Sequence, residues 1–145
     1  MSEVLLSDVG EALDVARVHG WLAASYWSPG ISRALVERAM AGSHCLGAYA
    51  DGGQVGFARA ISDRATFAWI ADVFVEEGWR GRGIGRRMVR WFLDHPDYAG
   101  LRRVGLVTLD AHGVYEELGF GPLARPQNFM ERLAPDYAAT LASLR

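Results

Sequence analysis

The stretch 72-DVFVEEGWRGRGIGRRMVR-90 contains the end of a strand, a glycine-rich turn and the start of an amphipathic helix. Thr66–Val75 is strongly apolar and rich in β-forming residues, which predicts a long strand. Glycines in the turn allow a close backbone approach to a ligand, and free amides at a helix start attract anions. We therefore expect a phosphate-binding turn. Its candidate residues are Arg80, Gly81, Arg82, Gly83, Ile84, Gly85 and Arg86.

Two familiar phosphate loops do not fit this stretch. A P-loop needs Lys followed by Ser or Thr after its last glycine, whereas Gly85 is followed by Arg86. A dinucleotide fingerprint needs wider glycine intervals and an acidic residue about 20 positions on, and Asp94 comes too early. A solvated basic helix face beside a tight turn remains the alternative to a phosphate site.

The composition is that of a globular protein. The chain has 145 residues, is 50% hydrophobic and carries a net charge of −2. This length suits a single domain, 1–145, with a core of its own. The charge disfavours nucleic-acid binding. The single cysteine excludes an internal disulfide, and the start of the chain lacks the pattern of a signal peptide. We expect a cytoplasmic protein without membrane contact.

Working outward from the turn, the pattern predicts a mixed sheet with helices. Before the turn we expect a strand at Val4–Ser7, helices at Ala12–Ser25 and Ile31–Met40, and a hairpin around Asp51-Gly52-Gly53. After it we expect the following elements: a helix at Gly83–Leu93, a strand at Arg102–Leu109, a short helix within Ala111–Phe120, a last strand at Phe129–Leu133, and a tail or helix from Pro135. The order favours an α+β fold with helices on both faces of the sheet.

Two motifs in this order resemble those of the GNAT family of N-acetyltransferases. Arg80, Gly83 and Gly85 in "RGRGIG" match the acyl-CoA signature of that family. The segment "AHGVYEELGF", Ala111–Phe120, matches a second family motif downstream. The family often has Asn seven residues before the tyrosine, where this chain has Thr108. The resemblance implies a central, mostly antiparallel mixed sheet, splayed at the strand that binds acyl-CoA.

The resemblance also implies the cofactor and its site. Acetyl-CoA would be the acetyl donor, with its pyrophosphate at the glycine-arginine turn and no metal involved. Its pantetheine arm would lie along the backbone of Val73, Phe74 and Val75. In the family this strand carries a bulge, where an amide can stabilise the oxyanion of the reacting thioester.

Three residues are candidates for proton transfer. The resemblance makes Tyr115 the acid that protonates the leaving thiolate; a core aromatic is the alternative. Asp72 interrupts an apolar strand, so it is exposed, paired with an arginine, or lining a polar cleft as amine anchor or base. His112 lies three residues before Tyr115 and is tunable near neutral pH, although a lone histidine is more often structural. We predict that Cys45 is a small buried residue and not a nucleophile.

The sequence indicates the acceptor site less clearly than it indicates the cofactor site. Tyr26 and Trp27 lie between two predicted helices, where the family commonly covers its acceptor pocket, and with Trp69 and Asp72 they would form the acceptor site. Packing alone would also explain the aromatic residues. We expect a small-molecule primary amine as acceptor. Two alternatives to this function remain: transfer to a protein or peptide amine, and a non-catalytic acyl-CoA-binding regulatory domain. A homodimer is also an open alternative to a monomer.

Overall fold

The protein, described here by a computed structural model over residues 2–144, is built on one five-stranded sheet. The strands follow in spatial order β1-β2-β3-β4-β5. Neighbouring strands are antiparallel except β4 and β5, which run parallel. The sheet is therefore mixed and mostly antiparallel, as expected. The strands are β1 (Leu5–Ser7), β2 (His44–Ala50), β3 (Gly53–Ser62), β4 (Phe67–Val75) and β5 (Arg103–Gly105).

Five α-helices accompany the sheet and cover both of its faces. On one face α1 and α2 pack through Val18, Leu22 and Val36 against Cys45 and Phe57 of the sheet. The other face packs against α3 through a core that includes Met88 and Phe92. The helices are α1 (Val15–Ala23), α2 (Arg33–Ala41), α3 (Ile84–Asp94), α4 (His112–Glu116) and α5 (Pro135–Ala142).

Short-range contacts define the ends of several elements, and the predicted hairpin at Asp51 and Gly52 is confirmed. The side chain of Ser32 caps α2 by accepting a hydrogen bond from the amide of Leu35 at 3.2 Å. The β2–β3 hairpin turns at Asp51 and Gly52, whose φ angles of 52° and 79° are left-handed. α1 begins at Val15 and not at Ala12, because the carboxylate of Asp14 accepts from the amide of Arg17 and caps the helix there.

Two predicted strands are wrong in part or whole. The predicted strand Arg102–Leu109 forms only over Arg103–Gly105, because β4 diverges from it beyond Trp69. Phe129–Leu133 forms no strand, because no neighbouring strand within residues 2–144 pairs with it. Of the two alternatives for the chain from Pro135, a tail or a helix, the structure shows a helix, α5.

Candidate active site

A cleft of about 770 Å³ opens where β4 and β5 separate. β5 pairs with β4 only from Phe67 to Trp69, so the rest of β4 presents a free edge on this side. The chain after β5, residues 106–111, forms the opposite wall together with Tyr115 of α4. The connection between α1 and α2, residues 24–28, and one face of α5 close the remaining sides. The cleft is thus the space made by the splay of two parallel strands.

A β-bulge lies in β4 where it borders the cleft. Arg59 pairs with Ala71 and Phe57 pairs with Phe74, so two residues of β4 oppose one residue of β3. The first of the two, Asp72, has a left-handed φ of 55°, which is uncommon for a residue other than glycine. A bulge bends its strand and turns side chains and amides away from the ladder. The bulge that the family resemblance implies for this strand is therefore present.

Asp72 is held at the bulge by two charged or polar side chains. Arg59 of β3 donates from Nε to Oδ2 at 2.7 Å, and the indole of Trp27 donates to Oδ1 at 2.9 Å. The side chains of Asp72 and Arg59 are only 11% and 17% exposed. Of the alternatives considered for Asp72, the structure combines two: the carboxylate is paired with an arginine and also lines the cleft. Each carboxylate oxygen of Asp72 therefore already accepts one hydrogen bond.

Arg59 is a site residue that the sequence analysis missed. A signal was present, because an arginine inside the apolar run "VGFARAI" mirrors the aspartate inside the next strand. Two opposite charges buried in neighbouring strands avoid a large desolvation penalty only if they pair. Arg59 also donates from Nη1 to the hydroxyl of Ser43 at 2.9 Å, which orients the guanidinium toward the bulge.

The glycine-arginine turn leads from the end of β4 into α3. Gly81 and Gly83 have φ angles of 81° and 76°, which favour glycine strongly over other residues. Gly83 is the N-cap of α3, and no side chain caps this helix end. The first main-chain bond of the helix runs from Arg87 to Gly83 at 3.0 Å, so the amides of residues 84–86 have no acceptor within the helix. They can serve an anion at this end.

Gly85 allows α3 to pack closely against β4, and its backbone angle is not unusual. A β-carbon built there would lie 3.7 Å from Val73 and 3.8 Å from Val75, at ordinary contact distance. The first turn of α3 therefore lies directly against the side chains of the bulged part of β4. This contact sets the position of the uncapped helix end relative to the strand edge.

The three arginines of the turn each have a partner on the protein. Arg80 donates to the carbonyl of Val75 at 2.9 Å and also lines the cleft. Arg82 lies over the ring of Trp79, and Arg86 forms a 2.8 Å ion pair with Glu117 at the end of α4. The Arg86–Glu117 pair is exposed, so an anion at the helix end can exchange for the carboxylate at small cost.

Tyr115 faces the cleft from α4. Burial raises the pKa of its phenol above the usual value, and the neighbouring Tyr26 and Asp110 raise it further. Raising this pKa keeps the proton on the hydroxyl throughout the neutral range. The ring also contacts Phe120 edge-on, with centroids 6.0 Å apart, so Tyr115 is both a packing residue and a cleft residue.

His112 and Thr108 lie near Tyr115 with different surroundings. His112 is exposed at the start of α4 and lines a neighbouring groove, not the cleft. The hydroxyl of Thr108 accepts a hydrogen bond from the amide of Ala111 at 3.0 Å. At the position where the family often has Asn, this chain thus uses the side chain to hold the turn before α4.

The predicted aromatic residues all line the cleft. The rings of Tyr26 and Trp27 meet edge to face with centroids 5.0 Å apart. Trp69 lies against Gly105 of β5, where a β-carbon would approach its ring to 3.1 Å. The C-terminal helix α5 adds Tyr137 and Leu141, a wall that no pattern in the sequence indicated.

One cluster of titratable side chains lies away from the cleft. Within residues 2–144 one set of side chains, Asp8, His44 and His95, has the spacing for a metal ion. His44 lies between Asp8 and Tyr98, at 2.8 and 2.6 Å, so the set also forms a hydrogen-bonded chain. No helix in the described part of the chain is long and apolar enough to cross a membrane.

Comparison with protein families identifies this architecture. The model of the GNAT acetyltransferase domain matches residues 41–122, more than half of the chain, and includes the bulged strand, the turn and Tyr115. The chain belongs to the GNAT acetyltransferase family. A comparison with curated protein sequences gives no match. As members of this family transfer acetyl groups, the chain is an N-acetyltransferase.

Solved structures agree with this assignment. A GNAT-family protein from Xanthomonas campestris is 46% identical, with a TM-score of 0.89, over 93% of this chain and 96% of that one. Two more distant structures share the fold. Glucosamine-6-phosphate N-acetyltransferase from Arabidopsis thaliana is 14% identical over 92% of this chain and 99% of its own (TM-score 0.65). An acetyltransferase from Clostridium acetobutylicum, described with acetyl-CoA, is 18% identical over 92% and 96% (TM-score 0.66).

Proposed function

We propose that this GNAT enzyme transfers the acetyl group of acetyl-CoA to the primary amine of a small molecule, by direct attack in a ternary complex. The observation that carries the proposal is the cleft between β4 and β5. It joins a free strand edge, a bulge and a partly buried tyrosine in one space of about 770 Å³. A cleft of this size suits a small molecule beside an extended arm.

The residues present fit acetyl-CoA. The α3 helix begins without a side-chain cap, with left-handed glycines before it and arginines around it. Such an end accepts a pyrophosphate through backbone amides and the helix dipole. The free edge of β4 at Val73, Phe74 and Val75 can bond the amides of a pantetheine arm, as an added strand would. When bound, acetyl-CoA supplies the activated acetyl thioester.

The bulge and Tyr115 have separate tasks in this proposal. An amide turned out of the ladder at the bulge can donate to the thioester oxygen as negative charge develops there. Tyr115 holds its proton at the phenol oxygen, because burial raises its pKa. It can donate that proton to sulfur when the carbon–sulfur bond breaks. His112 faces another groove, so we assign the proton transfer to Tyr115.

The acceptor side is aromatic and holds one paired carboxylate. Tyr26, Trp27 and Trp69 offer flat apolar faces suited to an organic ammonium or its hydrocarbon part. Asp72 already binds Arg59 and Trp27, so its first task is to fix Trp27 in the acceptor wall. Asp110 lines the same cleft. Within residues 2–144 its carboxylate forms no ion pair, in contrast to that of Asp72. We infer an amine with an apolar body.

A protein or peptide amine is the second candidate acceptor. α5 and the α1–α2 connection narrow the cleft, which favours a small acceptor over an extended peptide. The test is to incubate the protein with acetyl-CoA and panels of small amines and peptides, and to measure free thiol and acetylated product. Turnover of an arylalkyl or alkyl amine is expected. Turnover of peptides alone, or of neither panel, would reject this acceptor class.

A further inference from the structure

The cluster of Asp8, His44 and His95 joins three parts of the fold that are distant in the chain. Asp8 directly follows β1, His44 is the first residue of β2, and His95 is the C-cap of α3. One potential ligand atom from each side chain lies within 4.8 Å of the other two. None of the three residues lines the cleft, so the acetyl-transfer site does not account for their convergence.

The three side chains form a donor set that suits a transition-metal ion. Two imidazoles and one carboxylate are ligands that Zn²⁺ and its neighbours in the first transition row bind well, whereas Ca²⁺ and Mg²⁺ prefer oxygen ligands alone. The side chain of His44 is 9% exposed and that of Asp8 is 43% exposed. The set thus combines a buried anchor with a ligand that a metal ion can reach from solvent.

Both ring nitrogens of His44 have an oxygen partner. Nε2 lies 2.8 Å from Oδ2 of Asp8, and Nδ1 lies 2.6 Å from the hydroxyl of Tyr98. The first contact holds a proton between two groups that can each ligate a metal ion instead. The second is the outer hydrogen bond that ligating histidines usually make, because an oxygen at the far nitrogen fixes the tautomer and the orientation of the ring. With a metal ion on Nε2, Nδ1 donates to Tyr98.

His95 offers the second imidazole. Its Nδ1 accepts a hydrogen bond from the amide of Asp97 at 3.1 Å and lies 3.9 Å from Oδ2 of the same residue. Nδ1 is thus engaged, which leaves Nε2 as the nitrogen for a metal ion. With a metal ion on Nε2 the ring proton resides on Nδ1, and the Asp97 carboxylate can accept its hydrogen bond after a small rotation of the ring.

Aromatic rings pack around the two histidines. The rings of His44 and His95 meet edge to face with centroids 5.3 Å apart, and the ring of Trp91 contacts both, at 5.4 and 5.2 Å. Phe92 and Tyr98 also pack against His44. Packed rings restrict the rotation of both imidazoles, so the two nitrogen ligands are held near each other before a metal ion arrives.

We propose that Asp8, His44 and His95 bind one divalent transition-metal ion, Zn²⁺ above all, outside the acetyl-transfer site. The two histidines ligate through Nε2, and Asp8 ligates through a carboxylate oxygen. The ion replaces the proton between His44 and Asp8, and the exposed Asp8 side chain moves outward to make room. Because the ion joins the end of β1, the start of β2 and the end of α3, its binding stabilises the folded chain. Three protein ligands leave a further position for water.

The test is calorimetric titration of ZnCl₂ into the full chain, treated with EDTA, desalted and free of a histidine tag. The wild type is expected to bind one ion per chain with micromolar or tighter affinity, and its melting temperature is expected to rise as Zn²⁺ is added. Asp8→Asn and His95→Gln are expected to weaken binding by more than about 100-fold, because loss of an outer partner alone costs roughly 10- to 100-fold. His112→Gln, at an exposed histidine on α4, is the matched control and is expected to keep wild-type binding.

Histidine-ring ¹H–¹⁵N spectra identify the ligands independently. Addition of Zn²⁺ is expected to shift Nε2 of His44 and of His95 and to leave the proton on Nδ1 of each ring. No binding by the wild type at millimolar ZnCl₂, unchanged binding by either ligand variant, or loss of binding in His112→Gln would overturn the proposal. Melting curves without Zn²⁺ show that each variant is folded. None of these readouts involves acetyl-CoA, so this proposal and the proposed function fail separately.

Discussion

Asp72 and Arg59 form an ion pair across β4 and β3, with Nε and Oδ2 2.7 Å apart, at the bulge that borders the cleft. The pair joins the strand that would carry the pantetheine arm to the strand behind it. It also places an acidic residue at a left-handed backbone position. Two otherwise costly features, a buried charge and an unusual φ, thus support one another.

We expect Asp72→Asn to lower the free energy of unfolding by about 3 kcal/mol, because it leaves Arg59 without its counter-charge. Asn tolerates the left-handed backbone, so the change tests the charge and not the conformation. Denaturant melts provide the measurement. The double variant with Arg59→Gln is expected to recover part of the loss, since no unpaired charge remains.

Steady-state kinetics of the same Asp72→Asn variant distinguish three possible roles of Asp72: fixing Trp27, binding the ammonium, and acting as a base. Loss of a fixed Trp27 is expected to raise KM for the amine while KM for acetyl-CoA stays unchanged. A direct bond to the ammonium would be worth about 1.5–3 kcal/mol, or roughly 10- to 150-fold in kcat/KM. A base would instead lower kcat with a deficit that shrinks as pH rises. Unchanged amine kinetics beside a lowered denaturation midpoint would remove Asp72 from the active site.

Tyr115→Phe is expected to keep the fold and acetyl-CoA binding while lowering kcat by about 10²- to 10⁴-fold, the usual value of general acid catalysis. Because the pKa of Tyr115 is raised, its proton is present below that pKa and lost above it. The wild-type rate should therefore not decline through loss of this acid until the pH passes the ordinary phenol range.

Tyr137→Phe is the matched control for Tyr115→Phe, since Tyr137 also lines the cleft but lies on α5. It is expected to retain kcat. If Tyr115→Phe turned over at the wild-type rate at every pH, with chemistry rate-limiting, Tyr115 would not be the acid.

Cys45 is expected to be unreactive in the folded protein. Burial raises the pKa of its thiol to about 11. At pH 8 the thiolate fraction is then lower by roughly 100-fold than for an unperturbed thiol near 9. Alkylation by iodoacetamide, followed by mass spectrometry in buffer and in denaturant, measures this directly. Fast labelling of native protein would reopen a covalent acetyl-cysteine route.

Replacing two glycines by alanine, one at a time, is expected to distinguish a glycine required for its φ angle from one that only allows close packing. Gly83→Ala should cost about 1–2 kcal/mol, because alanine must adopt a left-handed φ there. Gly85→Ala should be nearly neutral, since its β-carbon meets Val73 and Val75 at ordinary contact distance. Denaturant melts compare the two, and equal losses would contradict the assignment of Gly83 as the conformational residue.

The sequence determined most of the sheet and the turn because local chemistry controls them. The hairpin at Asp51 and Gly52, the cap at Ser32 and the glycine-rich start of α3 all follow from short-range patterns. The residues predicted for the acceptor wall, Tyr26 and Trp27 among them, do line the cleft.

The remaining features depend on partners that are distant in the chain. Arg59 could be matched to Asp72 only by knowing that their strands are neighbours in this register. The length of β5 depends on where β4 diverges, and Phe129–Leu133 forms no strand because no strand within residues 2–144 pairs with it. The wall formed by α5 likewise required the path of the tail.

The most direct test of the central claim is calorimetric titration of acetyl-CoA into the wild type and into Gly83→Glu. The account predicts micromolar binding to the wild type, in the range typical of enzyme substrates, and a raised melting temperature on binding. Gly83→Glu, which places a carboxylate at the uncapped start of α3, should abolish both, while Leu35→Asp, at an exposed leucine on α2, keeps them. No heat and no thermal shift for the wild type at millimolar acetyl-CoA, or unchanged binding by Gly83→Glu, would contradict the assignment of the glycine-arginine turn as the cofactor site.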